Sequence, residues 1–405
     1  MNIQSSNNHF KKAQNQKQKD QFQLSRVLTI GAGHAVHDTY SAFVPPLLPL
    51  FIQNLLLTRT EAGLLTVFLQ APSLIQPVIG HWADKIALHH VILFAPAVTA
   101  TLMSLIGITP SYAILSLLLI GVGFSSAAFH AVGPVITGKL SGSYLGRGMS
   151  FWMVGGELGR ALGPMVVVTA VAHLTLQGLP WLMIFGIVIS GLLFLRIHDL
   201  PEVSSKPKAG LPWKIALSKM KPVMLPLVVI ITVRAFAQVS LTTFLPVLLT
   251  EGGSSLWFAG MSLTVLQIAG VAGAMLSGSL SDHLGRRKIL FISLFFAPFF
   301  MFLFLQFDGW IQFPILVIMG FLIISMTPVI MALVQENFPE NRAFANGIYM
   351  FFSFGIRAVV IILVGIIGDT WGLRFSFIGS AAILFIGVPF ILMLPKKMET
   401  ENTNF

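Results

Sequence analysis

Five charged side chains stand deep inside long apolar runs of this chain: Asp38, Glu157, Arg160, Arg234 and Arg357. An ionised group at the centre of a bilayer costs about 3 kcal/mol on insertion scales and more in simulations, so each needs a partner, water or a task. His34, His37 and Asp38 occupy i, i+3 and i+4, which sets His34 and Asp38 on one helical face within hydrogen-bonding reach. A carboxylate flanked by imidazoles and partly withdrawn from water can take and release a proton, the chemistry of a coupling site. No Lys or Arg stands within one turn of Asp38, which favours that role over an ion pair along the helix. Glu157 and Arg160 share the i, i+3 spacing and read first as an internal ion pair, with Glu157 a further member of the proton site as the alternative.

Arg234 and Arg357 have no acidic residue within two turns on their own helices. Two such guanidiniums facing a cavity would select an anion, since the planar fork binds phosphonate, phosphate or carboxylate through paired hydrogen bonds. The alternative is that one of them pairs with Asp38 or Glu157 across the molecule as a gate. Arg160, His130, Gln76 and Gln238 complete the candidate substrate contacts. A lone polar residue inside a span is more often an interhelical hydrogen bond than a ligand contact, and Gln267 is read that way.

The elements that must position these groups follow from composition. Of the residues 55% are hydrophobic and 10% charged, against about 25% charged in globular proteins. Apolar stretches of ~20 residues cross a bilayer core as helices, and coil in lipid is excluded by its unpaired amides. Twelve spans are expected near 24–52, 61–83, 90–107, 112–135, 147–173, 179–197, 222–250, 256–280, 288–306, 311–335, 342–366 and 373–395. Residues 1–23, rich in Asn, Gln and Lys, lack a cleavable signal pattern and read as a disordered tail. With no cysteine, disulfides and thiolate metal sites are excluded.

The net charge of +10 raises the question of nucleic acid, but its placement answers otherwise. Twenty of the 25 Lys and Arg fall on the side of the tails and even-numbered loops, with Arg59 and Arg374 opposite. This positive-inside bias places both termini in the cytoplasm of a multi-pass protein of the plasma (inner) membrane. Residues 198–221, with Pro201, Pro207 and Pro212, read as a cytoplasmic linker between bundles 24–197 and 222–395, and 396–405 as a second tail.

The two bundles show a weak repeat. At a shift of 201, Phe43, Pro45, Leu47 and Leu48 fall on Phe244, Pro246, Leu248 and Leu249; at 198, Gly80 and Asp84 fall on Gly278 and Asp282. Two parallel six-helix halves about an axis normal to the membrane are a known transporter plan. Gly155-x-x-x-Gly159-x-x-x-Gly163 sets small residues on one helical side for close packing. Pro45, Pro46 and Pro49, with Pro246, are expected to bend their helices.

Gly278-x-x-x-Asp282-x-x-Gly285-Arg286-Arg287, between spans eight and nine, resembles the loop signature of the major facilitator superfamily. Within it the chain is similar, over nearly all of 24–395, to the fosmidomycin-resistance type of efflux protein. The matching pieces are His34-x-x-x-Asp38, Gln76-Pro77-x-x-Gly80-x-x-x-Asp84-Lys85, Phe129-His130, and Gly155-Gly156-x-x-Gly159-x-x-Leu162-Gly163-Pro164. It departs at Ala131, at Glu157 and Arg160 in the glycine run, and at Arg357. The resemblance implies an all-α protein of twelve transmembrane helices in two pseudo-symmetric bundles, with helices 3, 6, 9 and 12 outermost. Those four spans indeed carry no Asp, Glu, Lys or Arg in their interiors. It also implies that Asp282 caps the amino end of helix 11 near Arg342, and Asp84 that of helix 5 beside Arg147. Gly80, Asp84, Lys85, Gly278, Asp282, Gly285, Arg286 and Arg287 then act as conformational switches.

The expected function is proton-coupled export of a small, drug-like, anionic compound by alternating access, with uptake or exchange of a metabolite anion as the alternative. No His-Glu-x-x-His, Gly-x-Ser-x-Gly or phosphate-cradling glycine loop supports an enzyme or an ATP-driven pump. A channel would not need twin halves with paired switch loops. Expected partners are the small molecule, protons and the lipid bilayer, with no cofactor, metal, nucleic acid or second copy of the chain.

Overall fold

Long runs of Leu, Ile and Phe leave helix as the one local way to pair backbone amides in lipid. The structure, a computed structural model, describes residues 22–76, 79, 89–197, 199, 213–338 and 342–394. In the amino-terminal half they form α1 (Leu24–Ser41, resuming as Val44–Leu55), α2 (Arg59–Gln70, then a tight turn Ala71–Ile75), α3 (His89–Leu105), α4 (Tyr112–Leu140), α5 (Leu145–Leu174) and α6 (Met183–Ile197). The other half holds α7 (Trp213–Val239, resuming as Leu245–Glu251), α8 (Leu256–Leu284), α9 (Arg286–Phe304), α10 (Gln312–Ile323, resuming as Met326–Asn337), α11 (Arg342–Trp371) and α12 (Leu373–Met393). Ten of these pass as membrane-crossing by length and composition; α1 is broken, and α2 runs into residues outside the described ones. The expected switch residues Gly80, Asp84 and Lys85 also lie outside them, as do residues 1–21 of the first expected tail, the whole of the second and most of the expected linker. Inside that linker α7 already begins at Trp213.

Local chemistry explains the ends and the breaks. Thr58 opens α2 with a reciprocal cap: Thr58 Oγ1 accepts from Glu61 N at 3.1 Å while Thr58 N donates to the Glu61 carboxylate at 2.8 Å. Ser111 and Ser255 cap α4 and α8 in the simpler way. The break in α1 falls just before Pro45 and Pro46, which then sit in the first turn of the second piece, where missing N–H groups cost nothing. In α7, Pro246 has no N–H to return to the preceding turn, and Ser240–Phe244 widens into a π-helical turn. The carbonyl of Ser325, at the break in α10, is taken up by the Ser277 hydroxyl at 2.9 Å.

The halves meet through α2 against α11 and α5 against α8. Gly63 lies under Ile361 and Phe244, and Gly260 under Val168 and Pro164. Every cross-half hydrogen bond and ion pair among the described residues lies toward the face opposite the chain termini. Asp369 at the end of α11 accepts from the backbone N–H groups of Arg59 (2.7 Å) and Thr60 (3.0 Å) and from the Thr60 hydroxyl (2.6 Å). There it caps α2, where the helix dipole favours a negative charge. Arg59 reaches Glu251 at 2.8 Å, and Met165 N donates to Thr264 Oγ1 at 3.1 Å.

Candidate functional site

The site begins with how closely α1 and α5 approach. A Cβ placed on Gly155, Gly159 or Gly163 would stand 2.3, 2.2 or 2.5 Å from the carbonyl oxygens of Gly31, Ala35 and Thr39. The glycine run thus packs main chain against main chain. Gly156, beside the seam, clears the floor of the site, since a Cβ there would meet His34 Nε2 at 2.5 Å and Asp38 Oδ2 at 3.1 Å.

On that seam His34, Asp38, His130, Arg160 and Glu157 come together. Asp38 is 1% exposed. His34 Nε2 lies 3.3 Å from its Oδ2, His130 Nε2 3.4 Å from its Oδ1, and Arg160 Nη1 3.3 Å from Oδ2. None of these approaches is a well-formed hydrogen bond, so the buried carboxylate is surrounded rather than tied. Arg160, whose side chain is 43% exposed, also pairs closely with Glu157, joining the expected ion pair on α5 to Asp38 on α1. His34 Nδ1 donates to the Trp152 carbonyl at 2.8 Å and His130 Nδ1 to that of Ser126 at 2.9 Å. A carbonyl can only accept, so these bonds hold the ring protons on Nδ1. Both Nε2 atoms, 3.2 Å apart, face each other and the Asp38 carboxylate, so a hydrogen bond between the rings uses a proton on one of them.

By spacing alone His34, Asp38 and His130 could share a metal ion, their ligand atoms lying within 4.8 Å of one another. The Arg160 guanidinium already supplies a positive charge to Asp38, which opposes a second cation of high charge there. His37 borders this cluster: fully buried, it stacks on Phe129 with ring centroids 4.3 Å apart and meets His130 edge-on at 5.7 Å, and neither of its ring nitrogens has a hydrogen-bond partner among the described residues.

In the other half Arg234 is not the free guanidinium the sequence leads one to expect. It is 5% exposed, donates from Nε to the Ile323 carbonyl at 3.0 Å and from Nη2 to Thr327 Oγ1 at 2.5 Å, and contacts the Tyr349 hydroxyl. Arg357 donates from Nη2 to Thr242 Oγ1 at 3.2 Å, while its buried Nε has no partner. It lies within electrostatic reach of both Arg234 and Arg160. Among the described residues neither Arg234 nor Arg357 forms an ion pair, so the cross-half gate considered for them is not made. Gln76, just past the tight turn that follows α2, and Gln238 on α7 are half-buried.

Taken together, the two clusters are one pattern drawn twice. At an offset of 200, His34 and Asp38 on α1 fall on Arg234 and Gln238 on α7; at 197, His130, Trp152 and Arg160 fall on Thr327, Tyr349 and Arg357. The contacts repeat as well: His34 meets His130 and Trp152, and Arg234 meets Thr327 and Tyr349. The π-helical turn of α7 adds the residue that moves the offset to 201 by Phe43 and Phe244. Trp152, Thr327, Tyr349 and Thr242 were not among the sequence candidates. The repeat offset is the signal that reaches the first three.

At the α8–α9 junction Arg286 is the hub. It bonds Asp282 at 2.5 Å and Glu336 of α10 at 2.7 Å, contacts Ser281, and donates to the Gly278 carbonyl at 3.2 Å, while Arg287 donates to the Leu392 carbonyl at 2.8 Å. Among the described residues Asp282 is bound by Arg286, and Glu336 joins this junction as a residue that the sequence did not supply; the expected cap at the amino end of α11 borders residues outside the described ones. Gly285, at φ +91°, gives the turn between the helices a conformation that side chains resist.

A sequence model of the family described as Major Facilitator Superfamily matches residues 30–360 and 259–405. The fosmidomycin resistance protein of Escherichia coli (strain K12) is 24% identical over 386 residues, covering 92% of this chain and 93% of the relative. Among solved structures, a bacterial homolog to the human lysosomal transporter Spinster, inward-facing and occupied, superposes with a TM-score of 0.77 at 15% identity, over 92% of this chain and 96% of that one. A D-xylose-proton symporter does so with a TM-score of 0.70 at 15% identity, over 93% and 99%.

Proposed function

The chain belongs to the Major Facilitator Superfamily, and on that premise we propose that it is a proton-coupled exporter of a small, drug-like, anionic compound. It is a multi-pass membrane transporter of the secondary kind, not an enzyme. One observation supports the coupling: the Nε2 atoms of His34 and His130 converge on the buried carboxylate of Asp38, at 3.3 and 3.4 Å, where one proton can be shared among them. A proton arriving there turns mutual repulsion into a hydrogen-bonded set, and its departure leaves Arg160 as the counter-charge of Asp38.

The anionic cargo is supported by Arg357, a guanidinium without a carboxylate partner, next to two others. Export is the direction that the relative's name, a resistance protein, favours. In this reading both termini face the cytoplasm, the plasma membrane holds the chain, and a single copy completes the cycle. Uptake or exchange of a metabolite anion uses the same guanidiniums and differs in the direction of flux. The test is the purified full chain in liposomes loaded with a pH-sensitive dye, challenged with methylphosphonate and with organic acids. Cargo-dependent proton movement is expected, and its absence for every anion tried overturns the coupling.

A further inference from the structure

The duplicated pattern has one position where the copies differ in charge at the centre. In the amino-terminal copy Asp38 lies between His34, His130 and Arg160; in the other copy the equivalent residue is neutral Gln238, one turn from Arg234. With neutral imidazoles the first cluster carries two carboxylates and one guanidinium, whereas the second carries two guanidiniums and no carboxylate. A positive excess held away from bulk water draws an anion, most strongly through paired charge-assisted hydrogen bonds. A donor is present for one: the buried, unpartnered Nε of Arg357.

We propose that an oxyanion of the cargo, a phosphonate, phosphate or carboxylate group, occupies in the carboxyl-terminal half the place that the Asp38 carboxylate occupies in the amino-terminal half. This placement rests on the anionic-cargo reading and assigns it a locus, bounded by Arg234, Gln238, Thr242 and Arg357. The cargo supplies the acid that the second copy of the pattern lacks.

The proposal is tested by supplying that acid in the chain itself. Thermal unfolding of the detergent-purified full chain is followed with methylphosphonate, acetate or tetramethylammonium at constant ionic strength. In the native chain the two oxyanions raise the midpoint and the organic cation does not. Gln238→Asp is expected to weaken the oxyanion response at least about tenfold in apparent affinity, the scale of one desolvated charge pair, with an unliganded midpoint no lower than that of the native chain. Gln238→Ala, which removes the same side chain without adding charge, keeps the response within about threefold. An undiminished response in Gln238→Asp, or an equal loss in Gln238→Ala, overturns the placement while leaving anionic cargo intact. A native chain that responds to neither oxyanion removes the anionic cargo itself, and the placement with it.

Discussion

In the amino-terminal half α1 and α5 touch main chain to main chain along Gly155, Gly159 and Gly163, and the seam carries acid and imidazole. In the carboxyl-terminal half the equivalent helices are α7 and α11, and Phe352, Ile356 and Val360 stand where those glycines would be. Side chains hold this second pair apart around an apolar groove of about 420 Å³, lined by Phe236, Phe352 and Ile356 among others. By helical spacing that groove lies on the faces of α7 and α11 turned away from Arg234 and Arg357, so it is no part of the charged site. The difference teaches how one ancestral pattern divides its labour. A proton site works only while its atoms keep sub-ångström spacing, which a seam without side chains secures. In the second copy the charge and the open space stand on different faces of the same helix pair.

The largest effect separating the halves belongs to Asp38→Asn, which is expected to reduce pH-gradient-driven flux in proteoliposomes to the leak level while the chain still folds. Flux at the native rate would erase the distinction between an acid half and a basic one. Next comes the seam. Gly159→Ala forces a methyl group to within van der Waals overlap of the Ala35 carbonyl and should cost about 3 kcal/mol, read as a lowered unfolding midpoint. At the equivalent position Ile356→Val, facing a groove already open, should cost about 1 kcal/mol or less. Equal costs would mean that the two helix pairs are packed alike.

Within the basic half, Arg234 and Arg357 should part company. Arg234→Gln strands the Ile323 carbonyl, Thr327 and Tyr349, at about 2 kcal/mol of stability. Arg357→Gln instead weakens oxyanion binding about tenfold, or roughly 1.4 kcal/mol, with little loss of stability. The reverse outcome, stability lost with Arg357 and binding lost with Arg234, would exchange their roles. The smallest effect is expected at the α8–α9 junction, where Asp282→Asn leaves Arg286 bound to Glu336 and should shift the balance of access states by under about 1 kcal/mol. Arg286→Gln, which removes both bonds, should shift it more. Labelling of positions on the two faces compares them.

Much of this was legible in the chain because charge inside oil is rare enough to be informative. Asp38, Glu157, Arg160, Arg234 and Arg357 could be singled out from their surroundings alone, and the glycine spacing on α5 announced a close helix partner. What stayed hidden was direction across helices. Periodicity says which residues share a face, not which neighbour that face meets, so the bridge from Arg160 to Asp38 and the neutral cage around Arg234 needed coordinates. A search for acids on the same helix could not find Thr327 or Tyr349, because a buried guanidinium is satisfied as well by a carbonyl and two hydroxyls. The repeat itself was blurred by the extra residue in the π-helical turn, which changes the offset partway along α7.

The glycine seam has a mechanical corollary. Two helices whose carbonyls lie in the other's grooves cannot twist about their own axes without collision, so α1 and α5 must travel as a single rigid cartridge. His34, Asp38 and Arg160 ride in that cartridge with their spacing unaltered whichever compartment they face. A rocking of the two halves would then change the water that reaches this cluster while leaving its shape alone, and the parts that give way are the cross-half contacts at Arg59, Glu251 and Asp369.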